Sequence, residues 1–176
     1  MVPSIFYNPN YSATDNMVYS INEDSTITEF DVNYTHYSSK YGFQLADRTQ
    51  HGLHVLAAAA TFGKEALMEH IIYLGGKDLM GLKDLSGLTA LRYAVHDVHK
   101  AATKMLLKYG AQLNEHFTPA QWAFVTRVQQ ELIEEQRAIE GQVNAALQLP
   151  PGIANLISSY LYMVDNKHTN RRIGFN

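Results

Sequence analysis

The chain has 176 residues, 46% of them hydrophobic, which suits one compact unit and leaves little room for two independent domains. A net charge of −3 and scattered basic residues give no field that would gather phosphate backbones, so nucleic acid is not an expected partner. The absence of cysteine excludes disulfides, thiolate nucleophiles and Cys-ligated zinc, and it suits a reducing, cytoplasmic setting.

Residues 1–10 carry no basic segment followed by an apolar run, so no secretion signal is expected. The apolar stretches around Val55–Ala60 and Ala145–Leu149 fall far short of the roughly 20 residues a membrane span requires. In the N-terminal third, Met17, Tyr19 and Ile21 alternate, Asn22–Ser25 reads as a turn, and Ile27, Phe30, Val32 and Tyr34 look extended. The reading is a short β-hairpin that caps the chain's start. Residues 1–40 hold five acids against one lysine and many tyrosines, which reads as a solvated cap in preference to an acidic, aromatic contact surface. Lys40-Tyr41-Gly42 matches Lys108-Tyr109-Gly110 and marks the end of a degenerate repeat.

The middle of the chain is internally repeated. Gly52-Leu53-His54-Val55-Leu56-Ala57-Ala58-Ala59 returns thirty-five residues later as Gly87-Leu88-Thr89-Ala90-Leu91-Arg92-Tyr93-Ala94. Eleven residues separate Gly52 from Gly63 and Gly87 from Val98, and twelve more lead to Gly75 and Gly110. Each copy reads as helix, tight turn, helix and glycine stop. Ala58, Ala59 and Ala94 permit close packing of the first helix, and Leu67, Ile71, Leu74 with their counterparts Ala102, Leu106, Tyr109 form the apolar stripe of the second. Gly75 and Gly110 stand where a helix end favours positive φ. One such pair cannot cover its own apolar face, so neighbours must stack.

Farther on, Thr118-Pro119 provides an N-cap and a first-turn proline. Trp122, Val125, Val128, Leu132, Ile139, Val143 and Leu147 then recur at helical spacing, which predicts one helix of about 28 residues, on the order of 40 Å long. Pro150-Pro151-Gly152 ends it. A last short helix places Ile153, Leu156, Ile157, Tyr160, Leu161 and Val164 on one face, and the tail 165–176 is polar and expected to fray.

The stretch Asp84-Leu85-Ser86-Gly87-Leu88-Thr89-Ala90-Leu91-Arg92-Tyr93-Ala94, with Gly110-Ala111-Gln112-Leu113-Asn114, resembles the ankyrin-repeat family over residues 42–114. Arg92 stands where that family has His, Val98 where it has a turn glycine, and the loop from Gly75 to Gly87 is two residues longer. The resemblance implies an all-α stack, with a cap at 1–41, repeats at 42–117, a helical cap at 118–164 and a tail at 165–176. It further implies a non-catalytic helical solenoid that binds another protein without a cofactor. The partner-binding residues carried over are Gln50, His51, Leu53, Thr61 and Phe62 in one repeat, and Leu85, Ser86, Leu88, His96 and Asp97 in the next. Leu53, Phe62, Leu85 and Leu88 would line them with an apolar strip.

Residues 149–161 are similar to the opening helix of F-box motifs, which some poxviral ankyrin proteins carry at their C-termini. That similarity implies an alternative role as a ubiquitin-ligase adaptor, with Leu156, Ile157, Tyr160 and Leu161 docking the adaptor protein. Ankyrin modules also occur among effectors that bacteria inject into host cells, which would place this chain in the host cytosol.

Sites of chemistry are not expected. His51-x-x-His54 and His96-x-x-His99 have a spacing that could hold a metal on a helix, yet they fall at different positions of the repeat, so turn and capping roles are preferred to a metal site. Glu131, Glu134, Glu135 and Glu140 read as a solvated helix face. No phosphate loop, nucleophile elbow or His-Glu-x-x-His helix is present.

Overall fold

The computed structural model describes residues 5–75, 77–113, 116–147, 152, 153 and 156. The protein is all-α, and among the described residues there are no strands. Its helices are α1 (Ala13–Tyr19), α2 (Ile27–Tyr41), α3 (Val55–Thr61), α4 (Glu65–Gly75), α5 (Ala90–His96), α6 (Lys100–Lys108) and α7 (Pro119–Leu147). A 3₁₀ turn, Lys77–Gly81, lies between α4 and α5.

The helices form two rows. One row is α1, α3, α5 and the other is α2, α4, α6, each helix packing on its neighbour in the row, and α7 closes against both α5 and α6. Ala57 to Ala60 are all buried, because alanine lets α3 sit between two neighbours at close range. Leu67, Met68, Ile71 and Ile72 form the buried stripe of α4, and Ala102, Thr103, Met105 and Leu106 that of α6.

The thirty-five-residue spacing is repeated in the backbone hydrogen bonds. Thr49 N–H donates to Leu53 O at 2.9 Å and Asp84 N–H to Leu88 O at 2.9 Å. Lys64 N–H reaches Ala59 O at 3.0 Å, and His99 N–H reaches Ala94 O at 2.9 Å. Met68 N–H to Lys64 O and Thr103 N–H to His99 O follow at 2.8 and 2.9 Å. The two segments therefore share one backbone path, offset by one step along the rows.

The N-terminal hairpin is corrected. Residues 13–41 form a third helix pair, with α1 packed on α3 and α2 on α4. The alternation of Met17, Tyr19 and Ile21 was too short to distinguish a strand from a helix turn. Two capping signals decide the matter: Ser12 Oγ accepts from Asp15 N–H at 3.0 Å, and Thr26 with Glu29 forms a reciprocal capping box. Phe30, Asn33 and Tyr37 are then buried at helical spacing. The turn at Asn22–Ser25 is present, closed by Ser25 N–H on Asn22 O at 3.2 Å.

Gly75 is also corrected. Gly42 and Gly110 end helices at φ 71° and 93°, but Gly75 is the last residue of α4 and is not among the positive-φ glycines. A side chain there would meet Leu79 of the 3₁₀ turn, so close approach rather than backbone conformation explains the glycine. The 3₁₀ turn buries Leu79 and Met80 against the core.

Val98 occupies the slot of Gly63, at φ 59° against 61°. At Gly63 a Cβ would lie 2.6 Å from Nδ1 of His99, which belongs to the next repeat; Val98, 63% exposed, has no later repeat against it. A branched side chain at positive φ costs roughly 1–2 kcal/mol. Val98→Gly should therefore stabilise the protein by about 1 kcal/mol after the extra chain entropy of glycine, a rise of about 2–4 °C in melting temperature. A lowered melting temperature would show that the strain is absent.

Candidate functional site

The ten residues carried over from the repeat resemblance form five pairs related by the same step: Gln50 and Leu85, His51 and Ser86, Leu53 and Leu88, Thr61 and His96, Phe62 and Asp97. The first three pairs lie on two loops, 49–53 and 84–88, and the last two at the C-terminal ends of α3 and α5.

Asp84 makes the second loop rigid. Its Oδ1 accepts from Ser86 N–H and Leu88 N–H, both at 2.8 Å, and its Oδ2 accepts from the Tyr93 hydroxyl at 2.5 Å. Burial, reinforced by the Asp84 hydrogen bond and charge, pushes the Tyr93 phenol up to about 12, so it remains a donor. In the first loop Thr49 does part of this work, its Oγ1 accepting from Leu53 N–H at 3.1 Å. The loops touch along their backbones, Leu85 N–H pointing to His51 O at 3.5 Å.

The apolar strip is narrower than expected. Leu85 is 78% exposed at a loop tip and Phe62 is 36% exposed, whereas Leu53 and Leu88 are half-buried. The same hydrogen bonds that close each loop on Thr49 or Asp84 turn these two leucines inward. Gln50, His51, Ser86, His96 and Asp97 are exposed and Thr61 is half-buried. Of the residues similar to an adaptor-binding helix, Leu156 is exposed, and Ile157, Tyr160 and Leu161 lie outside the described residues.

The histidine pairs separate. His51 is exposed and contacts Gln50 at 3.3 Å, whereas His54 is fully buried at the N-cap of α3. Burial pushes the His54 imidazole down to about 4; Arg48 adds to the shift, and the Leu82 backbone and Asp84 oppose it. Neither ring nitrogen completes a well-formed hydrogen bond despite that nearby backbone. His96 Nδ1 pairs with Asp97 at 2.6 Å, and His99 Nε2 donates to Thr61 O at 2.8 Å, tying one repeat to the turn of the one before. Among the described residues no three His, Cys, Asp or Glu side chains converge as metal ligands.

Of the four acids read as a solvated face, Glu134 and Glu140 bond only within α7, while two others also reach α6. Glu131 pairs with Lys100 at 2.7 Å and Glu135 with Lys104, fastening α7 to α6. Hydrogen bonding to Lys100 holds the Glu131 carboxyl below the usual range. A cleft of about 440 Å³ opens between the loop that joins α4 to α5 and the end of α6, lined by Asp78, Met80, Lys83, Thr89, Tyr109 and Gln112. No helix among the described residues is long and apolar enough to cross a membrane.

Sequence reasoning missed the Asp84–Tyr93 and His99–Thr61 bonds. Their only signal was position: Asp84 precedes the loop glycine by three residues, and His99 follows the turn by one.

Comparison with protein-family models, curated proteins and solved structures finds no match to this chain.

Proposed function

We propose that this chain is an ankyrin-repeat protein that acts by non-covalent recognition, binding a partner protein across the loops 49–53 and 84–88 and the adjoining ends of α3 and α5. One observation carries the reading: an exposed leucine, Leu85, stands at the tip of a loop that Asp84 holds rigid through three hydrogen bonds. A fixed apolar anchor enters a partner's pocket with little loss of conformational freedom, so its burial is retained as affinity. Phe62, the imidazole of His51 and the His96–Asp97 pair supply the surrounding contacts.

Affinity purification with the intact chain tests this reading. Leu85→Asp should reduce partner recovery at least tenfold, consistent with about 2 kcal/mol for a central anchor, and Phe62→Ala should reduce it less. Leu85 is exposed, so its substitution should leave the melting temperature unchanged; Leu88→Asp would confuse folding with binding because Leu88 is half-buried. Undiminished recovery with Leu85→Asp would remove this surface from consideration.

A further inference from the structure

We propose that Phe6-Tyr7-Asn8-Pro9-Asn10-Tyr11 is a docking segment for a partner's open β-sheet edge, of the kind that phosphotyrosine-binding domains present, with Tyr11 as the side chain the partner reads. The proposal stands apart from the reading built on loops 49–53 and 84–88 and uses different residues.

Its first support is how the segment is held. Phe6 N–H donates to Oδ1 of Asn33 at 2.8 Å, and Phe6 O accepts from the Tyr37 hydroxyl. Two residues on, Asn8 N–H donates to Oδ1 of Asn16 at 2.6 Å, and Asn8 O accepts from Asn16 Nδ2 at 3.0 Å. Asn16 on α1 and Asn33 and Tyr37 on α2 are buried, so their polar groups have exchanged water for the main chain of this segment. The bonded residues alternate, with the period of a β-strand. Tyr7, between them and 63% exposed, makes no hydrogen bond among the described residues. Successive residues of a strand aim their N–H and C=O groups at opposite edges, so Tyr7 turns an unpaired donor and acceptor away from the helices. One edge of the segment is occupied and the other is open, which is the edge a strand-adding partner pairs with.

The second support is the turn that follows. Tyr11 N–H reaches Asn8 O at 3.1 Å, and Asn10 N–H reaches Asn8 Oδ1 at 3.0 Å. Pro9 stands at the second position of this β-turn, where its fixed φ is suited, and Asn8 at the first, where its side chain closes an Asx turn. Asn16 Nδ2 also donates to Tyr11 O at 3.1 Å, which fastens the far side. The turn is built before any partner arrives, so docking costs little conformational freedom. At its end Tyr11 is 44% exposed, one side of its ring against Tyr19 at 5.2 Å between centroids. Phe6, five residues earlier, is also exposed. An added strand gains affinity through its main chain and specificity through pockets for its side chains. An Asn-Pro-x-Tyr turn at the end of such a strand is the ligand shape that phosphotyrosine-binding domains accept.

Titration of the full chain against an isolated phosphotyrosine-binding domain that accepts unphosphorylated Asn-Pro-x-Tyr peptides tests the proposal. Saturable binding is expected. Tyr11→Ala should weaken it about tenfold or more, as removal of an aromatic anchor does. Tyr7→Pro removes the outward N–H and should weaken binding to a similar degree, whereas Tyr7→Ala should change it less than about threefold. Both side chains are exposed and neither hydrogen-bonds within the chain, so melting temperatures should stay near that of the unaltered protein. Leu85→Asp should leave this binding intact, which keeps the two surfaces distinguishable. Absence of binding, or binding insensitive to Tyr11→Ala, would overturn the proposal. Equal losses for Tyr7→Ala and Tyr7→Pro would also overturn it, since they would show a side-chain contact in place of strand pairing.

Discussion

Gly52→Ala is expected to destabilise the protein by about 3 kcal/mol or more, against about 1 kcal/mol for Gly87→Ala. The two glycines have nearly the same backbone, φ 81° and 78°, so the intrinsic cost of an added Cβ is shared. Their surroundings differ. A Cβ on Gly52 would lie 2.5 Å from the Leu85 backbone nitrogen and 3.0 Å from Asp84, which are main-chain atoms that cannot swing aside. Around Gly87 nothing lies within 4 Å, because no third loop follows. Urea unfolding of both variants measures the difference directly, and thermal shifts of about 6–12 °C and 2–4 °C should accompany it. Equal losses would mean that the loops do not press on one another.

Acid should weaken the fold through His54. Its folded value of about 4 lies below the ordinary 6.5, so between those two pH values the unfolded chain binds more protons than the folded one. Stability is therefore whole above about pH 6.5, falls as pH drops towards 4, and loses nothing further from this group below 4. The full window is worth on the order of 3 kcal/mol. Denaturant unfolding at pH 7 and pH 4.5 measures most of this loss. His54→Thr, which places the residue of its counterpart Thr89 in the slot, should flatten the difference even if it lowers stability at both pH values. A variant that keeps the full wild-type slope would assign the acid sensitivity to another group.

The candidate site was partly legible in the sequence. Leu85 and Phe62 are carried over from the resemblance to the ankyrin-repeat family, and the spacing of Gly52, Gly63, Gly87 and Val98 shows only that the two segments recur at one step. Exposure at each position did not follow. Leu53 and Leu88 are apolar residues in the same loops, yet they turn inward because Thr49 and Asp84 capture their backbone N–H groups. That capture depends on where two side-chain oxygens come to rest, and residue type alone does not specify it. The error over residues 17–34 differs in kind. Thr26 and Glu29 stand in the sequence as a capping box, and this local hydrogen-bonding signal outweighs a few residues of apolar alternation.

What the sequence determined alone is whatever repeats or caps locally: the helical period of α4, α6 and α7, the thirty-five-residue step, and the stops at Gly42 and Gly110. Local backbone preference and the burial of one face suffice for these, since each concerns residues a few positions apart. The tertiary structure decided the rest. A side chain at Gly63 would crowd the His99 ring while Val98 stands clear, one at Gly75 would crowd Leu79 and Leu45, and His54 is held neutral at the seam between repeats. Each of these outcomes depends on which atoms arrive from a distant part of the chain, and packing at close range sets that only once the rows have assembled.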